Sequence, residues 1–249
     1  MTFFLMSPPR SGSNFLQSLL SVFFPGQIQT TTYHNQQPFS SNILMVKSHA
    51  DTYIRLLSEI AMLKEYPVFP SKFLIIIRDP RLSSISAYEY GARKLGKSQG
   101  EFLYSPNYGP DCPGLFKGNY LSYLKNFFET WLQYCQNSGA MMVRFESLVT
   151  DYKYLLKVIE FLGVGHEVQN DSSRKYNKRI CSISEKLEKK WQHVARLNHA
   201  NDEISFPQKQ YPSEFSDLSE YEEITEVIKV EILEHFEKLG YDIGYNTKN

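Results

Sequence analysis

Cysteine is scarce in this sequence of 249 residues, where only Cys112, Cys135 and Cys181 occur. They are odd in number, widely spaced and never paired as CxxC. That pattern excludes a disulfide framework and a structural zinc site, and it suits a reducing compartment. Excess charge is missing too. Lysine plus arginine total 27 and aspartate plus glutamate total 27, so no global basic field exists to attract nucleic acid or an acidic membrane surface. Any anion site must be local. No apolar stretch reaches the roughly 20 residues of a membrane span, and no charged n-region precedes a long apolar segment. The expectation is a soluble, cytoplasmic protein. Internal repeats, heptad arrays and low-complexity linkers are also absent, so residues 1–249 read as a single domain.

What is present is an alternation of strand and helix. Thr2–Met6, ILMVK at 43–47, FLIIIR at 73–78 and MMVRF at 141–145 are short, continuous apolar runs. Such runs fit strands covered on both faces of a parallel sheet. A helical stripe follows each: Leu16, Leu19, Leu20 and Phe23; Ile54, Leu57, Ile60, Ala61 and Leu63; Leu82, Ile85 and Tyr88; Leu155, Leu156, Ile159 and Leu162. Strand–helix alternation with right-handed crossovers predicts an α/β fold, a three-layer α/β/α sandwich with a central parallel sheet. Ligands of such sheets gather at the carboxyl ends of the strands. Residues 96–119, rich in Gly, Pro and Tyr, read as a long substrate loop or lid. Further helices are expected at 120–137, 182–197 and 219–239, the last with Tyr221, Ile224, Ile228, Ile232 and Phe236 at helical spacing.

The motifs fall at the predicted strand ends. FFLMSPPRSGSNFLQSLL, residues 3–20, is a strand, a turn and a helix. A Walker phosphate loop needs GxxxxGK[ST], and no lysine follows Gly12 here. The turn still offers backbone N–H groups, the hydroxyls of Ser11 and Ser13, the amide of Asn14, and Arg10, facing a helix N-terminus. That set suits a phosphate or sulfate. Ser13 as a simple helix cap is the competing reading. IIIRDPRLSSISAY puts Arg78 at a strand end and Ser86 eight residues later. The two can grip one anion, or serve as a salt bridge and a packing serine.

These residues resemble the sulfotransferases that use 3′-phosphoadenosine 5′-phosphosulfate. The family's 5′-phosphosulfate loop, P-K/R-S-G-T/S-x-W/F, is matched by Pro9-Arg10-Ser11-Gly12-Ser13-Asn14-Phe15. Its 3′-phosphate motif is matched by Arg78 and Ser86, its K-T/S-H by Lys47, Ser48 and His49, and its Y/F-E-D/S-L by FESL at 145–148. The resemblance implies a P-loop-like phosphosulfate-binding loop, no metal, and the phosphosulfate as co-substrate. It also implies that Arg10 and Lys47 stabilise the transferring group, that His49 is the general base, and that Phe15 and Phe145 meet the adenine. The acceptor is expected to be a small molecule or glycan, framed by 96–119 and the aromatic face of 120–131, with Tyr104, Tyr108 and Phe116 as candidates to stack on it. His34, His166, His193, His199 and His235 lack such company. The R-K-G-x-x-G-D-W segment of the cytosolic branch is not found; SRKYNKR at 173–179 and Lys209 are the basic substitutes at hand. The dimerisation motif K-x-x-x-T-V-x-x-x-E is absent as well. A nucleotide kinase or NTPase, and a non-catalytic nucleotide-binding protein of the same fold, are the alternatives.

Overall fold

Within the first strand, β1 (Thr2–Met6), every side chain is buried, and successive ones serve opposite cores. Phe3 and Leu5 join one apolar cluster; Phe4 and Met6 join the other. Period-two alternation across a strand apolar at every position demands cover on both faces. The computed structural model describes residues 2–24, 27–32, 43–62, 72–106, 118–163, 218–241 and 245. It contains α1 (Ser13–Phe23), β2 (Ile28–Thr31), β3 (Ile43–Ser48), α2 (Tyr53–Met62), β4 (Lys72–Ile77), α3 (Pro80–Ala87), α4 (Gln99–Tyr104), α5 (Tyr120–Ser138), β5 (Met141–Arg144), α6 (Phe145–Thr150), α7 (Tyr152–Leu162), α8 (Glu222–Ile228) and α9 (His235–Lys238).

The strands form one parallel sheet in the order β2-β3-β1-β4-β5. One face carries Leu16 and Leu20 of α1 with Leu155, Val158, Ile159 and Leu162 of α7. The other carries α3, the aromatic stripe of α5 from Tyr120 to Trp131, and Ile224, Ile228, Ile232 and Phe236 of the last helical stretch. This is the expected three-layer α/β/α sandwich. The chain leaves β1 toward β2 and β3, then crosses to β4 on the other side. The topological switch therefore lies at the carboxyl end of β1, the preferred ligand position in open α/β sheets. Among the described residues no helix is long and apolar enough to cross a membrane.

The structure departs from the sequence expectations in three places. β2 was not foreseen, because IQTT is polar and only its ends are buried; pairing along β3 makes it a strand. In α2 the expected stripe is only partly kept: Ile60 packs against the core, Ile54 is 78% and Leu57 47% exposed, Leu56 and Glu59 are buried, and Leu63 lies outside the described residues. The helix takes its rotational phase from polar ties, the Ser48 hydroxyl donating to Glu59 and Arg55 pairing with Asp51. Part of 96–119 is helix rather than loop. Ser98 accepts from the Glu101 N–H at 3.1 Å, the Glu101 carboxylate accepts from the Ser98 N–H at 2.9 Å, and this capping box starts α4 and buries Phe102 and Leu103. Residues 107–117, the helix expected at 182–197, Cys112, Cys181 and the basic residues at 173–179 and 209 lie outside the described residues.

Candidate active site

The turn after β1 is held by its backbone. Arg10 has φ 65° and Gly12 φ 90°. A turn built from left-handed residues brings successive N–H groups into an anion-binding concavity. Gly12 is required twice over, by its φ and by space: a Cβ there would stand 2.1 Å from Phe145 Cδ2. Gly12, not Ser13, occupies the N-cap of α1, and no side chain caps that helix. The competing reading of Ser13 as a cap is therefore set aside. The positive end of α1 faces the turn, and the buried Ser11 Oγ has no hydrogen-bond partner among the described residues.

β3 runs beside β1 with Lys47 opposite Leu5 and Ser48 opposite Met6. Lys47 Nζ donates to Asn14 Oδ1, which ties the strand end to the first turn of α1. Past the strand, His49 Nδ1 lies 2.7 Å from the Ser7 carbonyl. A carbonyl only accepts, so Nδ1 carries the proton and Nε2 presents its lone pair. The His49 pKa is pushed down to about 4, first by burial, then by Lys47 and Arg55, with the Ser7 hydrogen bond opposing. The imidazole is therefore neutral at pH 7, with Nε2 unprotonated. Tyr123, its phenol held protonated by burial, donates to the His49 carbonyl at 2.9 Å.

On the other flank of β1, Arg78 and Asp79 follow β4. Asp79 caps α3 by accepting from the Arg81 N–H at 2.9 Å, and its carboxylate pairs with the Arg81 guanidinium at 2.7 Å. The Asp79 N–H donates to Glu146 at 3.0 Å, and Tyr245 donates to the other Glu146 oxygen. Arg78 is 7% exposed and lies over the Phe145 ring at 5.4 Å. Phe145 thus fills the space between Gly12 and Arg78. Ser86 is buried about 9 Å along the axis from the start of α3. One turn further, in the π-helical stretch Tyr88–Ala92, Tyr90 stacks under Arg10 at 4.7 Å. Phe15 packs edge-on to Phe145 at 5.8 Å, and each ring is 7% exposed within the apolar core. The structure therefore draws Arg10, Ser11, Gly12, Ser13, Asn14, Lys47, His49, Arg78 and Phe145 around the ends of three adjacent strands. Ser86 is buried on α3, two helical turns beyond Arg78. Among the described residues no cluster of His, Cys, Asp and Glu is grouped as a metal site.

A family model for the sulfotransferase domain matches residues 2–239. The chain belongs to the sulfotransferase domain family. Among solved structures it is similar to mouse sulfotransferase SULT7A1 complexed with PAP, at 16% identity and a TM-score of 0.45, covering 73% of this chain and 63% of that one. The sulfotransferase domain described here thus spans 63% of that relative's length. No curated protein matches the sequence.

Several residues that shape this candidate site carry no clear signal in the sequence. Ser7 fixes the His49 tautomer through its carbonyl, an interaction any residue type could supply, so the sequence carries no signal of it. Tyr123 and Trp131, expected on the aromatic face framing the acceptor, are buried and donate to the carbonyls of His49 and Ala50, contacts that residue order does not reveal. Glu146 stood inside the FESL motif, and its position two strands from the loop was the missing fact. Tyr90, one helical turn beyond Ser86, was within reach of a pattern argument.

Proposed function

We propose that this protein transfers a sulfuryl group from 3′-phosphoadenosine 5′-phosphosulfate to a hydroxyl or amine of a small molecule or glycan. One observation carries the reading: an uncapped helix N-terminus, flanked by Arg10 and Lys47, lies beside an imidazole whose Nδ1–H is committed to the Ser7 carbonyl. The residues fit the donor's charge. The buried Ser11 hydroxyl and the left-handed turn suit a phosphosulfate, and Arg78 and Ser86 suit a second phosphate on the far side of Phe145.

His49 Nε2 accepts the proton that the acceptor loses as its oxygen or nitrogen bonds to sulfur. Arg10 and Lys47 stabilise the negative charge that builds on the equatorial oxygens and the departing phosphate. Arg10 does not protonate that phosphate, because a guanidinium holds its proton, and an acidic phosphate needs none. Positioning and fixed positive charge do the rest, as in phosphoryl transfer. Phe15 and Phe145 offer only their exposed edges to an adenine; most of each ring packs beneath the loop. Tyr104, 51% exposed at the end of α4, is a described aromatic of the proposed acceptor side.

Calorimetry with adenosine 3′,5′-bisphosphate, paired with radiolabelled donor and a panel of phenols, hydroxysteroids, primary alcohols and amino sugars, tests the reading. Binding of the bisphosphate and label transfer to at least one acceptor are expected. Tight ATP binding with no heat from the bisphosphate would instead indicate a kinase or NTPase. Bisphosphate binding without transfer to any acceptor would indicate a non-catalytic nucleotide binder.

A further inference from the structure

We propose that Glu59 is a positioning residue for the catalytic base. Acting through the Ser48 hydroxyl, its carboxylate holds the turn from Lys47 to Ala50 in the shape that aims His49. The inference rests on the sulfotransferase reading above and adds to it a group that no substrate can touch, since Glu59 is 4% exposed beneath α2.

Glu59 Oε2 accepts from the Ser48 hydroxyl, and Ser48 Oγ accepts from the Ala50 N–H at 2.9 Å. Burial pushes the Glu59 carboxyl pKa up, opposed by the Ser48 hydrogen bond and Arg55, and Oε2 is the accepting oxygen. It therefore claims the single hydroxyl proton and turns an oxygen lone pair toward Ala50. Remove the carboxylate and that rotor is released. Lys47, at the start of the turn, donates to Asn14, and the turn's carbonyls are held by neutral donors: the Ser48 carbonyl accepts from the Ser7 N–H at 3.2 Å, the His49 carbonyl from Tyr123 at 2.9 Å, and the Ala50 carbonyl from Trp131 Nε1 at 2.8 Å. Glu59 is the acidic side chain among these contacts. Arg55 lies between Asp51 at 3.4 Å and Glu59 at 3.8 Å.

A buried carboxylate is a costly way to pack a helix. An apolar residue in its place is often neutral or stabilising, and Glu59 faces the sheet from the side of α2 where an apolar residue would be expected. The Glu59 carboxyl, as an acceptor, sits two hydrogen bonds from the backbone that carries His49. Orientation of the base, rather than stability of the helix, is what it supplies.

Glu59→Leu, Glu59→Gln, Ser48→Ala and the Glu59→Leu/Ser48→Ala double variant test this with two readouts. The first is the ¹⁵N spectrum of the His49 imidazole without any ligand. Wild type should show the Nδ1–H tautomer alone, and Glu59→Leu and Ser48→Ala a mixture. The second is turnover with the acceptor found in the panel, alongside affinity for adenosine 3′,5′-bisphosphate. Glu59→Leu should lower kcat about ten- to a hundredfold with nucleotide affinity unchanged. Glu59→Gln, which keeps an acceptor for Ser48, should recover most of that loss, and the double variant should lose no more than the worse single one. An unaltered imidazole spectrum, additive losses, or a Gln variant as impaired as Leu would each overturn the proposal. If Glu59→Leu does not fold, the Ser48→Ala spectrum decides by the same criterion. Absence of turnover in wild type would sink the sulfotransferase reading, and the spectrum would still judge Glu59.

Discussion

The turn after β1 and the turn after β4 end adjacent strands, yet they are built by opposite means. The first is backbone: Arg10 and Gly12 are left-handed, α1 has no side-chain cap, and Ser11 is buried with its hydroxyl unmatched among the described residues. The second is side chain: Asp79 caps α3, Arg81 and Glu146 brace Asp79, and Tyr245 braces Glu146. A backbone cradle offers an anion N–H groups that no substitution short of proline removes, and its weak point is the glycine that lets it form. A side-chain clamp tolerates backbone variation and stakes its grip on one guanidinium. Phe145 is common to both, touching Gly12 on one side and Arg78 on the other.

The largest effect should come from the residue that belongs to neither turn. His49→Ala should lower turnover about a hundred- to ten-thousandfold while calorimetry shows bisphosphate affinity preserved. A parallel loss of affinity would mean that His49 serves the anion pockets rather than the chemistry. In wild type, kcat/KM for the donor reports the free protein. With the His49 pKa pushed down to about 4, the profile should stay flat as pH drops below 6.5 and fall only as it nears 4, where the base becomes protonated. An acid limb at 6.5 would show that the imidazole is not desolvated.

Gly12→Ala ranks next. The left-handed backbone costs about 1–2 kcal/mol, and overpacking against Phe145 adds about 1–3 kcal/mol. A fall in thermal midpoint together with loss of bisphosphate binding is expected. If the companion Gly12→Ala/Phe145→Ala restores stability but not binding, steric contact and backbone strain are separated. Arg78→Ala should leave folding intact and weaken the bisphosphate by about 1.5–3 kcal/mol, a loss calorimetry reads directly. Equal affinity in wild type and variant would remove the second pocket from the site. Smallest is Asp79→Ala, which removes the α3 cap and should lower stability by about 1 kcal/mol in chemical denaturation. Bisphosphate affinity should change little, because Asp79 braces the turn without facing the anion. A loss as large as that of Arg78→Ala would make the brace part of the grip.

Much of this was legible in residue order. The strand runs at 2–6, 43–47, 73–78 and 141–145 appear within a residue or so, since short continuous apolar runs suit strands of a parallel sheet covered on both faces. Local pattern failed where a partner sets the outcome. β2 exists because β3 lies beside it, and α2 leaves Ile54 and Leu57 exposed while Glu59 turns inward to Ser48 of another element. The α4 capping box, Ser98 with Glu101, was visible in the sequence and was masked by the surrounding Gly and Pro.

The sequence by itself determined the parallel α/β sheet, the strand ends that carry Arg10, Lys47, His49 and Arg78, and the absence of a Walker lysine, because periodicity and motif spacing are properties of the chain alone. Only the tertiary structure decided which nitrogen of His49 bears the proton, why Gly12 cannot be larger, and that the buried Glu59 stands behind the His49 turn. Each of those depends on an atom from a distant segment: the Ser7 carbonyl, the Phe145 ring, the Glu59 side chain. Proximity of that kind arises only when the sheet brings separate strand ends side by side.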